Sequence, residues 1–121
     1  MACLKLLCLC QGGNSRSAGL AYVLKYGYGH DALAVGWHRN SDKTRAMLYK
    51  WADRIFIVQA EFMQYVPEPF RKKVTVYELG PDIWFNSLHP DLTAKCDALI
   101  QSDPTWLDYE DTTQTNVIEG A

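Results

Sequence analysis

No stretch of this 121-residue sequence approaches the roughly 20 consecutive apolar residues that a membrane-crossing helix needs. It also lacks a Cys-x-x-Cys pair and any Cys/His group at zinc-ligand spacing. Cys3, Cys8, Cys10 and Cys96, like His30, His38 and His89, are scattered, so neither a metal centre nor a disulfide framework is expected. No Gly-Lys-Ser/Thr follows its glycines, and Gly27-x-Gly29 has neither a third glycine nor a preceding strand, which removes the common nucleotide loops. A net charge of −2 argues against a general nucleic-acid binder. The apolar opening MACLKLLCLC runs into Gln-Gly-Gly-Asn-Ser-Arg without a small-residue cleavage site. It reads as a buried strand and not as a signal peptide, and a cytoplasmic location is expected. No internal repeat is visible.

What is present suits one soluble domain. Hydrophobic residues make up 48% and charged residues 21%, enough apolar surface to bury a core without a metal or disulfide staple. The charge is uneven. All 12 Lys and Arg lie at or before Lys95, whereas 5 of the 14 Asp and Glu (Asp103, Asp108, Glu110, Asp111 and Glu119) fall after residue 102. Residues 1–102 are therefore read as a mildly basic folded domain able to attract an anion. Residues 103–121 are read as an acidic tail, either partly disordered or packed through Trp106.

The hydrophobic pattern alternates strands and helices. Residues 3–9 are apolar almost throughout, as a central parallel strand covered on both sides must be. A helix is predicted from Ser17 to about Tyr26, with Ser15 or Ser17 available as its cap. A second strand follows over Ala32–Trp37 and a helix over Lys43–Ala52. Arg54–Gln59 is a third strand, and a short helix near Glu61–Tyr65 ends at Pro67 and Pro69. Lys73–Leu79 alternates as a fourth strand, Gly80–His89 is a loop, and Pro90 opens a last helix to about Ser102. The alternation predicts an α/β fold: a parallel four-stranded sheet with right-handed crossovers and helices on both faces.

In such sheets ligands bind beyond the carboxyl ends of the strands. The segment there after the first strand is Cys10-Gln11-Gly12-Gly13-Asn14-Ser15-Arg16-Ser17. A glycine-rich turn into a helix can converge its N–H groups on a phosphate, and an arginine can grip two oxygens in a fork. The same positive field favours the thiolate, which is the nucleophilic form of cysteine, and Ser17 can donate its hydroxyl to that sulfur. Cys10 and Arg16 are therefore the candidate nucleophile and phosphate clamp. Gln11, Gly12, Gly13, Asn14, Ser15 and Ser17 are the candidate substrate-binding residues. The plainer reading of the segment is a core cysteine followed by a glycine turn and a helix start.

With that loop, the stretch WADRIFIV (Trp51–Val58) and the run from Lys73 through Pro90-Asp91-Leu92, the sequence resembles the low-molecular-weight protein tyrosine phosphatase superfamily, most of all its small bacterial and phage branch. The resemblance covers residues 3 to about 102. It implies phosphomonoester hydrolysis with Cys10 as nucleophile, Arg16 as clamp, Ser17 stabilising the thiolate, and Asp82 of the Pro81-Asp82 pair as general acid. It implies no cofactor, and as substrate a phosphorylated protein or a small phosphate ester. Gly13 stands where the family commonly has Asn, and Ser15 where many members have a second cysteine.

Other residues have competing roles. Trp84 and Phe85 can stack on an aryl group or simply pack the loop. Asp91 suits a helix N-terminus better than acid catalysis. The histidines read as polar loop residues, Arg71-Lys72-Lys73 as a solvated strand entrance, and Cys3 and Cys96 as core. Two other functions stay open. One is a non-catalytic phosphate or nucleotide binder on the same fold. The other is an arsenate reductase, which would need a further cysteine relay. The sequence leaves the oligomeric state open.

Overall fold

The computed structural model describes residues 3–11, 15–81 and 83–107, Arg39 by its backbone alone. The first strand, β1 (Lys5–Cys10), is buried at every position from Leu6 onward. A strand apolar on both faces is stable only where both faces and both edges are covered. β1 accordingly lies inside a four-stranded, wholly parallel sheet of order β2-β1-β3-β4, with β2 Asp31–Gly36, β3 Arg54–Ile57 and β4 Val74–Val76. Leu7 sits between Leu33 and Ile55, and Ile55 in turn faces Val74. Every residue of β3 is buried as well. The predicted α/β domain with helices over its parallel sheet is the fold observed.

Helix α1 (Arg16–Tyr22) runs on through a π-helical turn, Val23–Gly27, and lies against β1, β2 and α3 (Pro90–Ser102). Neither candidate serine caps it: Ser15 makes no capping side-chain bond, and the Ser17 hydroxyl is turned toward Cys10. Helix α2 (Asp42–Trp51) is capped by Ser41, whose Oγ accepts from the Thr44 N–H at 3.2 Å. α3 begins at Pro90 as predicted, and the His89 imidazole accepts from the Asp91 N–H at 3.1 Å. The short helix expected near Glu61 is a 3-10 turn, Ala60–Tyr65, and a second such turn, Glu68–Lys73, follows the prolines. β4 is shorter than its alternating sequence predicts because those turns take up Lys73. Tyr77 and Leu79 nonetheless continue the pairing, donating to Ile57 O and Val58 O at 2.9 and 3.1 Å.

Several side chains differ from their sequence reading. Cys3 is exposed, since β1 begins only at Lys5, whereas Cys96 is fully buried. Lys73 is no free solvated charge: its Nζ donates to Tyr49 O and Ala52 O, at 2.9 and 2.8 Å, closing the end of α2. His30 is buried, its Nδ1 accepts from the Leu4 N–H at 3.2 Å, and its ring stacks on Trp106 at 5.2 Å. The chain stays packed beyond residue 102. Asp103 pairs with buried Arg54 at 3.3 Å, and Trp106 lies over that guanidinium at 4.2 Å while donating to the Tyr77 hydroxyl at 3.0 Å. The remaining acidic segment, 108–121, lies outside the described residues.

One glycine governs how the last loop meets the sheet. A Cβ on Gly19 of α1 would stand 2.6 Å from Ser87 O and 2.9 Å from a Leu92 methyl, so only hydrogen lets the segment before α3 approach this closely. Gly19→Ala is expected to cost about 1–3 kcal/mol through overpacking. Urea unfolding should show a lower midpoint at unchanged slope.

Candidate active site

β1 is the strand at which the order reverses, with β2 on one side and β3 on the other, so the segments leaving β1 and β3 diverge and open a crevice at their carboxyl ends. Cys10 closes β1 there, 3% exposed, and Arg16 opens α1, 2% exposed. Cys10 Sγ lies 2.9 Å from Ser17 Oγ. A hydroxyl at that distance can donate to sulfur, and donation to a thiolate is the stronger form of the bond.

Arg16 is fixed at one end of its fork. Nη1 donates to Gln59 Oε1 at 2.6 Å and to the Gly80 carbonyl at 2.8 Å, and the guanidinium lies over the Phe62 ring at 5.6 Å. Nε, on the edge of the guanidinium that it shares with Nη2, is buried without a hydrogen-bond partner among the described residues. That edge is the one an oxyanion can take in bidentate fashion. Gly80 adopts φ +74°, a conformation glycine reaches freely, and so turns its carbonyl to the arginine.

The Phe62 ring beneath Arg16 belongs to an aromatic cluster. Trp37, just past β2, meets Phe62 edge-on at 4.2 Å and stacks on Tyr65 at 4.5 Å. The link from β2 to α2 is short and tied down by Arg45, which donates to Trp37 O, to Asn40 O at 3.0 Å and to Asp42. It also touches the cysteine loop, the His38 N–H donating to Gln11 O at 3.4 Å. Of the other cysteines, Cys8 is buried beside Cys10 and Cys96, and burial first, then those two neighbours, pushes its thiol well above the ordinary range. Burial pushes the Cys96 thiol up to about 12. Both are therefore neutral thiols near pH 7.

Of the sequence-derived site residues, Cys10 and Ser17 meet at 2.9 Å, and Arg16 is buried at the first position of α1. Ser15 is buried at the head of α1, its carbonyl accepting from the Gly19 N–H at 2.7 Å, and the Gln11 side chain is exposed. Gly12, Gly13, Asn14 and Asp82 lie outside the described residues. Trp84 is half-buried against the core and meets His89 edge-on at 5.4 Å. Phe85 beside it is 96% exposed and held at φ +59°, a backbone region that a bulky side chain rarely occupies. Gln59, Phe62, Trp37 and the Gly80 carbonyl were missed. The one sequence signal was Gln59 itself, the first polar residue after the apolar run Ile55–Val58.

No family model and no curated protein matches the sequence. Solved structures do match the fold. The tyrosine phosphatase AmsI of Erwinia amylovora superposes with a TM-score of 0.62 at 12% identity, over 85% of this chain and 95% of its own. Wzb of Vibrio vulnificus, bound to benzylphosphonate, gives 0.60 at 13% identity, over 89% and 99%. The arginine phosphatase YwlE of Geobacillus stearothermophilus gives 0.58 at 14%, over 98% and 97%. The chain thus has the fold of the low-molecular-weight tyrosine phosphatases, as its sequence resemblance led one to expect.

Proposed function

We propose that the protein is a cysteine-dependent phosphomonoesterase, with phosphotyrosine on a protein as its substrate and no metal or cofactor in its mechanism. The observation that carries this reading is the pair formed at the end of β1: the Cys10 sulfur 2.9 Å from the Ser17 hydroxyl, with a buried Arg16 next to Ser17 in sequence whose Nε has no hydrogen-bond partner among the described residues. The Cys10 thiolate, held by the Ser17 hydroxyl, attacks phosphorus in line with the ester oxygen. As the S–P bond forms the P–O bond breaks, and the departing oxygen takes a proton from the Asp82 carboxyl. Arg16 and the N–H groups of residues 11–16 carry the charge on the equatorial oxygens. Water, giving its proton to the Asp82 carboxylate, then cleaves the phosphocysteine and releases inorganic phosphate.

The fold shared with phosphatases supports the reading, and so does the position of the loop at the strand switch. The neutral Cys8 and Cys96 thiols argue against an arsenate-reducing relay, which needs reactive partner thiols at hand. The test is hydrolysis of an aryl phosphate between about pH 5 and 7 in the presence of a chelator. Wild type should turn over, and Asp82→Ala should lose roughly 10²–10⁴-fold in kcat with a poor leaving group. A wild type that binds phosphate through Arg16 but does not hydrolyse would replace the enzyme with a binding module.

A further inference from the structure

Two arginines are almost wholly buried, and they are treated differently. Arg54 faces the carboxylate of Asp103 at 3.3 Å. Arg16 donates only to neutral oxygens, the Gln59 amide and the Gly80 carbonyl, and no ion pair involves it among the described residues. A guanidinium cannot shed its proton, so among the described residues no carboxylate pairs with the charge of Arg16.

We propose that Gln59 is the positioning residue of Arg16, and that its neutrality keeps the arginine's charge available to a phosphate dianion. This rests on the reading of the Cys10–Arg16 loop as a phosphate site. The orientation of the amide follows from chemistry. Gln59 Nε2 donates to Glu61 Oε1 at 2.9 Å, and a carboxylate only accepts. Oε1 is therefore turned to Arg16, which only donates. Glu61 is exposed, so its charge is largely screened, whereas Gln59 Oε1 is 2.6 Å from Nη1. A carboxylate in that place would offer Arg16 a paired partner of its own and compete with the ligand for its charge.

The test uses the full chain and inorganic phosphate, with affinity measured by calorimetry and thermal unfolding recorded alongside. Gln59→Glu keeps the shape and the acceptor, so a merely structural role would leave phosphate affinity unchanged. The proposal expects an affinity loss of about tenfold or more with the protein still folded, because the new carboxylate pairs with Arg16 although it gives up the bond to the exposed Glu61. Gln59→Met removes the acceptor without adding charge and should weaken phosphate by about threefold, less than Gln59→Glu does. Phosphate binding within twofold of wild type in Gln59→Glu, or equal losses in both variants, would overturn the proposal. If Gln59→Glu does not fold, Gln59→Met decides alone, a loss under twofold counting against. A wild type that binds no phosphate refutes the site and the proposal together. A wild type that binds without hydrolysing refutes only the phosphatase, and one that hydrolyses while Gln59→Glu binds normally refutes only the role of Gln59.

Discussion

Cys10→Ser should abolish aryl phosphate hydrolysis, by at least about 10⁴-fold in kcat, and should leave phosphate binding in place. The exchange removes one large, polarisable atom from a nearly closed position, 3% exposed, and puts a smaller oxygen beside the same Ser17 hydroxyl. A serine hydroxyl ionises far above the working pH. The Ser17 hydroxyl beside Cys10 can donate to an anion already formed, which favours a thiolate over a serine hydroxyl as nucleophile. Arg16 keeps its two Nη1 bonds in the variant, since neither goes to Cys10. The protein should therefore still gain thermal stability on adding phosphate, as any ligand selective for the native state confers. Single-turnover assays would separate the steps, and residual hydrolysis within tenfold of wild type would remove Cys10 from the role of nucleophile.

The largest effect on stability is expected at the opposite end of the sheet. Arg54, 1% exposed, opens β3 and donates to Thr75 Oγ1 at 2.7 Å, to Thr105 Oγ1 at 2.8 Å and to Asp103 at 3.3 Å, with Phe56 and Trp106 against its faces. Asp103→Ala takes the paired carboxylate from that buried cation, and breaking a buried pair by removing one partner costs about 3–5 kcal/mol. For a domain of this size the melting temperature should fall by roughly 10–20 °C. The pH dependence has a definite sign. Burial alone would raise the Asp103 carboxyl, but the Thr105 and Tyr77 hydroxyls, the Thr105 N–H and Arg54 together bring it below its ordinary value. A depressed carboxyl stabilises the fold fully above its unfolded pKa of about 3.9, and the stabilisation is lost as pH falls toward the folded value. The stability gap between wild type and Asp103→Asn should hold from pH 7 to about 5 and narrow below about 4. Calorimetric scans at several pH values would check it, and a gap that is constant to pH 3 would contradict the pairing.

The two regions were not equally legible in the sequence. Cys10, Arg16 and Ser17 sit in eight consecutive residues, so their spacing alone suggested their meeting, and the strand before them and helix after them were clear from apolar runs. The acidic residues after 102 were legible only as a charge block, although Asp103 is matched to one arginine 49 positions earlier. Gln59 and Gly80 reach Arg16 across 43 and 64 positions, and nothing in a polar residue after a strand, or a glycine before a proline, announces such a contact. Propensity likewise failed where tertiary demand overrode it. Lys73 reads as a strand entrance but is drawn back to the end of α2, and Ser15 and Ser17 read as caps while the second is claimed by sulfur.

β3 joins the two regions. Arg54 lies at its first position and Gln59 just past its last, and the residues from Ile55 to Val58 between them are wholly buried. At about 3.3 Å per residue the two ends stand roughly 16 Å apart, farther than the distance over which substitutions usually interfere with one another. Variation can therefore accumulate independently at either end. A lineage can trade robustness at the Arg54 end without retuning the chemistry at the Gln59 end, and the rigid strand acts as the partition that keeps the two histories separate.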